Sequence, residues 1–203
     1  GANVFFDDTA RETIARETKI LQMRDSTANK GGVTSSSISE VLAAFLLGDD
    51  YEKVMVKDPK AKSEIIRAVF ELVESNAIAE TKMLLALHAK TGTPLYRLSV
   101  QTSEYLYALQ DKLYAQMDAV LREKQIVAGV LSAYAPPALM KRVGVEKAIR
   151  ILSRPDLRAY RDAVLTKKIA AMALYRHAAD WDAFSARVDA DLIGTLKELL
   201  AGK

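Results

Sequence analysis

The chain has 203 residues, 50% of them hydrophobic and 27% charged, enough for one domain that buries about two-thirds of its unfolded surface with no staple or metal needed for folding. It contains no cysteine, which excludes disulfides, zinc–thiolate sites and thiol nucleophiles together. The formal net charge is only +3, so nothing in the overall balance demands an acidic partner.

The sequence opens at Gly1, and Ala2-Asn3-Val4-Phe5-Phe6 suits a mature N-terminus left by signal-peptide removal; export is therefore expected. Asp7, Asp8 and Thr9 offer N-caps, and Ile14, Ile20 and Leu21 with Ala10 and Ala15 give an apolar stripe that predicts a short helix to about Arg24. Residues 25–37 hold Asn29-Lys30-Gly31-Gly32 and three consecutive serines, a composition that predicts a solvated loop. Ser37 or Ser39 caps a second helix through Leu47, which Gly48 ends.

After the charged segment 49–58 and Pro59, the pattern turns helical. Ile66, Val69, Phe70, Val73, Ala77, Leu84 and Leu87 recur at three- and four-residue steps and predict one buried face. Gly92 stops this helix, Thr93 caps the next, and Pro94 stands at its first position, where a missing N–H costs nothing. From Pro94 a second arm runs toward Ala135, roughly 60 Å long at 1.5 Å per residue. It carries one stripe through Leu106, Leu109, Leu113, Met117, Val120, Val127 and Leu131, and a second through Tyr107, Tyr114, Leu121 and Ala128. Two adjacent stripes predict the central member of a bundle. Pro136-Pro137 breaks the arm, and three shorter helices follow, at about 138–152, 155–177 and 181–200. The fold class expected is all-α: a single domain over 1–203, an elongated bundle of about five to seven helices. A long antiparallel hairpin (60–134) organises it, with N-terminal helices and a Gly/Ser loop before it (1–58) and C-terminal helices after (137–203).

Chemistry-bearing patterns are sparse. A di-iron bundle needs Glu-x-x-His twice, but Leu85 precedes His88 by three residues and Leu174 precedes His177, so both histidines read as helix-end residues. The pairs Asp7-Asp8 and Asp49-Asp50 read as helix-start charges rather than as cation ligands. No glycine-rich phosphate loop or Gly-x-Ser-x-Gly turn occurs, so no catalytic, cofactor-binding or metal site is expected. Tyr96, Tyr105, Tyr107, Tyr114 and Tyr134 crowd one arm; they could line a pocket, although large amphipathic core residues do the same.

Two stretches stand out as surfaces. Residues 141–176 hold ten Lys and Arg against three acids, and Lys141, Arg142, Lys147, Arg150, Arg158, Arg161 and Lys168 form a candidate basic face. A solvated face, or one neutralised by the acids that follow it, outweighs a nucleic-acid site. Residues 125–140 carry no charge, so Val130, Leu131, Leu139 and Met140 are candidates for a partner contact unless the C-terminal helices cover them; the two prolines and the short run exclude a transmembrane segment there. The function expected is non-enzymatic: an exported bacterial protein, periplasmic or secreted, acting through protein–protein contacts. The alternatives are a ligand-binding or sensory bundle with a tyrosine-lined pocket and, behind it, nucleic-acid binding by the basic region.

Overall fold

Asp7 starts the first helix by accepting the Ala10 N–H on its carboxylate at 2.7 Å. From there a computed structural model describes residues 6–202; the Ala2–Phe5 part of the expected mature N-terminus lies outside them. The structure is 88% helical with no strand among the described residues, as the all-α expectation requires.

Helix α1 (Asp8–Glu17) ends sooner than its apolar stripe suggests, and residues 18–24 are non-helical, extended at Thr18 and Arg24, with Ile20 and Leu21 out in solvent. The stretch expected to be a loop is helical instead: α2 (Asp25–Ala28) and α3 (Lys30–Ser36) lead into a π-helical segment (Ser37–Leu42) and α4 (Ala43–Leu47). Packing explains the reversal. A Cβ on Gly31 would sit 3.3 Å from Val73 Cγ1, so glycine lets α3 lie close on the next long helix. The Ser37 and Ser39 hydroxyls donate to the Thr34 and Ser35 carbonyls, each at 2.9 Å, competing with backbone donors where the helix widens. Lys30–Asp50 is thereby one helical run, long and apolar enough by length and composition alone to cross a membrane. The stretch that meets that test is this one, not 125–140, and here its Ile38, Leu42, Ala43 and Leu46 lie in the core.

Helix α5 (Pro59–Thr91) begins with Asp58 capping the Ala61 N–H at 2.9 Å and proline in its first turn. It ends at Gly92, whose φ of +70° is left-handed and whose N–H returns to the His88 carbonyl at 2.8 Å. The cap of α6 (Leu95–Ala115) is Pro94 rather than Thr93, one residue past the expected start. Nothing lies within 4 Å of a Cβ built on Gly92, so Gly92→Val meets only backbone strain. It should lower unfolding free energy by about 1 kcal/mol or more in urea titration; an unchanged midpoint would remove the hinge from this position.

The second arm is not one rod. It breaks at Gln116 and again at Glu123, giving α6, α7 (Met117–Arg122) and α8 (Lys124–Tyr134). No glycine or proline marks either break. They redirect α8 against the C-terminal helices: α9 (Pro137–Val143), α10 (Val145–Leu152), α11 (Arg158–His177), α12 (Trp181–Ala190) and α13 (Leu192–Leu200). The centre of the bundle is accordingly α11, which packs on α5, α6, α8, α10, α12 and α13 and buries Val164, Leu165, Ile169, Ala170, Ala173 and Leu174. Phe70, Tyr107 and Tyr114, expected on buried faces, are 61%, 63% and 46% exposed.

Candidate functional site

The densest polar construction joins the N-terminal helices to α5 and α6. Arg11 of α1 is 3% exposed, and its guanidinium donates to Asp25 Oδ2 at 2.5 Å, an ion pair between side chains 14 residues apart. Gln22 reinforces the junction by donating from Nε2 to the Arg11 carbonyl at 2.9 Å. Two further links reach the long helices: Lys30 Nζ meets the buried Glu80 at 2.5 Å, and the Thr27 and Ser99 hydroxyls lie 3.1 Å apart.

Beside this junction a cleft of about 390 Å³ opens among Asp8, Glu12, Arg24, Arg97, Gln101 and Glu104. One pair of its charges, Glu12 and Arg97, is matched directly. Arg97 donates to Glu12 Oε1 through Nε and Nη2, at 2.9 and 2.5 Å, and its Nε also reaches the Tyr96 hydroxyl at 3.2 Å. Those contacts hold the Glu12 carboxyl below the usual carboxylate range, Arg97 first and Tyr96 second, and Glu12 raises Arg97 in return. Burial, aided by Glu12, pushes the Tyr96 phenol up. The arrangement braces α1 against α6 and keeps Tyr96 a neutral donor.

At the other end, a cleft of about 500 Å³ lies between Asp118, Ser153, Pro155, Arg158 and Arg161. Here Asp162 takes both arginines, Arg161 at 2.8 Å and Arg158 at 3.8 Å. The rest of the candidate basic face is spread over α9, α10 and α11. Arg142 pairs with Glu64 at 2.7 Å, and burial lowers the Lys168 ammonium pKa, while Lys141, Lys147 and Arg150 stand in solvent. The acids expected to fold back on this region pair elsewhere, Asp189 with Lys112 and Glu198 with Arg187.

The apolar stretch 125–140 is core. Val130, Leu131 and Leu139 are at most 2% exposed and Met140 is half-buried, because α8 is covered by α10, α11 and α13. The expected contact surface is thus not presented to solvent. Among the described residues the tyrosines do not converge on one pocket: Tyr96 borders the Glu12–Arg97 cleft, Tyr107 and Tyr114 are exposed to solvent, and Tyr105 stacks on Trp181 at 5.2 Å, with Trp181 meeting Phe184 at 5.4 Å. Each histidine closes a helix end as expected, His88 through Nδ1 to the Thr93 carbonyl at 2.8 Å and His177 stacked on Phe184 at 4.6 Å. Sequence reading passed over Arg11, Asp25 and Glu80, since a long-range buried pair leaves no periodic trace.

No protein-family model matches the chain, and no solved structure matches it. Among curated proteins it is 35% identical over 164 residues, 78% of its length, to glutamate dehydrogenase 2 of Dictyostelium discoideum. It is 28% identical over 190 residues, 91% of its length, to a probable NAD-specific glutamate dehydrogenase of Schizosaccharomyces pombe. A third relative, the NAD-specific glutamate dehydrogenase of Saccharomyces cerevisiae, is 33% identical over 133 residues, 62% of the chain. The chain spans only 15%, 16% and 12% of these three proteins. Relatives that are named enzymes, from an amoeba and from fungi, overturn the expectation of a non-enzymatic, exported bacterial protein, and with it the periplasmic or secreted location and the sensory alternative.

Proposed function

We propose that this chain forms a helical region of an NAD-linked glutamate dehydrogenase, bracing the parts of such an enzyme that bind dinucleotide and amino acid. The observation that supports it is sequence identity of 28–35% with dehydrogenases over 62–91% of the chain. The described residues do not themselves fit a dinucleotide. Such a site needs a strand, a glycine-rich turn and a helix N-terminus in succession. Here Gly31-Gly32 lie inside α3 with no strand before them, and Gly31 faces Val73. The chain's contribution on this reading is mechanical: the Arg11–Asp25 and Lys30–Glu80 pairs fix the N-terminal helices to a rigid bundle on which neighbouring structure can be held.

The test is a chimera in which this chain replaces the matching segment of the Saccharomyces cerevisiae enzyme, assayed by glutamate-dependent reduction of NAD. Retained turnover, within about tenfold of the parent, is expected, with loss of activity when an unrelated bundle of equal length is inserted. A soluble, full-length chimera without turnover would overturn the proposal.

A further inference from the structure

Helix α6 buries Leu98, Thr102, Leu109 and Leu113 where it packs on α5 and α11, and its opposite face is bare. Along that bare face Val100, Tyr107 and Tyr114 follow one another at seven-residue steps and are 38%, 63% and 46% exposed. Seven residues fall about 20° short of two full turns, so the three side chains form one row, with about 10 Å between successive members. Neither Tyr107 nor Tyr114 makes a hydrogen bond or ring contact with another described residue. Tyrosine joins an apolar body to a polar tip, which suits it to the middle of a contact surface more than to open water.

A second row runs beside the first. Glu104 and Asp111 each stand four residues after a member of the apolar row, on the same side of it, and both are exposed and without an ion pair among the described residues. At its N-terminal end the face runs into the cleft of about 390 Å³, which Val100 and Glu104 line together with Asp8. The one unpaired cation there is Arg24, because Arg97 is taken by Glu12; three unpaired acids therefore face one unpaired base. An apolar row at heptad spacing with charge along its flank is the arrangement by which one helix selects another.

The sign of that charge selects the partner. In a symmetric contact of this face with itself the acidic rows lie on the same side, so Glu104 and Asp111 meet their own kind and a second copy is repelled. An anionic membrane surface is repelled likewise. We propose that the outer face of α6 docks an amphipathic helix that lays apolar side chains along Val100, Tyr107 and Tyr114 and sets Lys or Arg opposite Glu104 and Asp111. The surface is tested on the chain alone, so it stands or falls separately from the bracing role proposed above.

The probe is a synthetic three-heptad helical peptide with leucine at a, alanine at d and lysine at e and g, beside a counterpart with glutamate at e and g. By isothermal titration calorimetry the lysine peptide should bind one to one and the glutamate peptide at least about tenfold more weakly. Tyr107→Gln with Tyr114→Gln, and Glu104→Gln with Asp111→Gln, should each weaken the lysine peptide by about tenfold or more, while Glu146→Gln on α10 leaves its affinity unchanged. All these positions are exposed, so every variant should melt with the parent. No binding, equal binding of both peptides, or equal effects at Glu146 and on α6 would overturn the proposal. A lowered melt for either double variant would do the same, since the face is then not free. A dimer of the chain alone that Tyr107→Gln with Tyr114→Gln dissociates would give the face to a second copy and overturn it as well.

Discussion

Leu139→Asp and Leu131→Asp should each abolish the cooperative thermal transition of the protein. The two side chains are 0% and 2% exposed, Leu139 on α9 where it packs with α4, α5 and α10, and Leu131 on α8 under α10, α11 and α13. The carboxyl can remain there only by taking up a proton, and that neutralisation, the unpaired buried acid and the lost leucine packing together are comparable with the roughly 5–15 kcal/mol that holds a domain of this size folded. Leu131→Met keeps volume and apolarity and should cost less than about 1.5 kcal/mol, which separates lost packing from introduced charge. Tyr107→Asp, at a position 63% exposed, should shift stability by no more than about 0.5 kcal/mol. Far-ultraviolet dichroism against temperature checks all four, and a native-like melt for Leu139→Asp would show that the stretch is not core.

Asp25→Ala should cost about 3–5 kcal/mol, because it leaves the Arg11 guanidinium 3% exposed and without its carboxylate at 2.5 Å. The loss comes from a stranded charge rather than from the net worth of the pair. Arg11→Met combined with Asp25→Leu should therefore recover most of it, as apolar replacements of similar volume commonly do. An exposed pair gives the contrast. Arg16 and Glu17 also meet, at 2.9 Å, but at 69% and 60% exposure, so Glu17→Ala should change stability by less than about 1 kcal/mol. Urea titrations of the three variants decide the matter, and equal effects at Asp25 and Glu17 would show that burial does not govern these pairs.

What the sequence discloses here is what repeats along it. The stripe Val69, Leu84, Leu87 and the stop at Gly92 place α5 and its end within a residue of where they are found. What it conceals depends on partners distant in the chain. Asn29-Lys30-Gly31-Gly32 looks like loop until Val73 lies beside Gly31 and Glu80 receives Lys30, because both partners stand more than forty residues away. The breaks at Gln116 and Glu123 follow from where α8 must pack, and no residue there is a breaker. Phe70 and Tyr107 obey the helical period and still face outward, since a period names a face without naming what covers it. For the segment after α1 the limit is the same: Ile20 and Leu21 fit a helical stripe on paper, and only the end of α1 at Glu17 leaves them outside it and in solvent.

The stack of Tyr105, Trp181, Phe184 and His177 makes one end of the molecule optically distinct. Trp181 is the single tryptophan of the chain, 8% exposed and in ring contact with residues of α6 and α12. Its emission therefore witnesses the docking of α12 on α6 and is blind to α1, the non-helical segment 18–24 and the Arg11 junction, whereas dichroism weighs every helix alike. Two midpoints, one from each signal, give the separation in stability between the bundle and its N-terminal arm without any label being introduced.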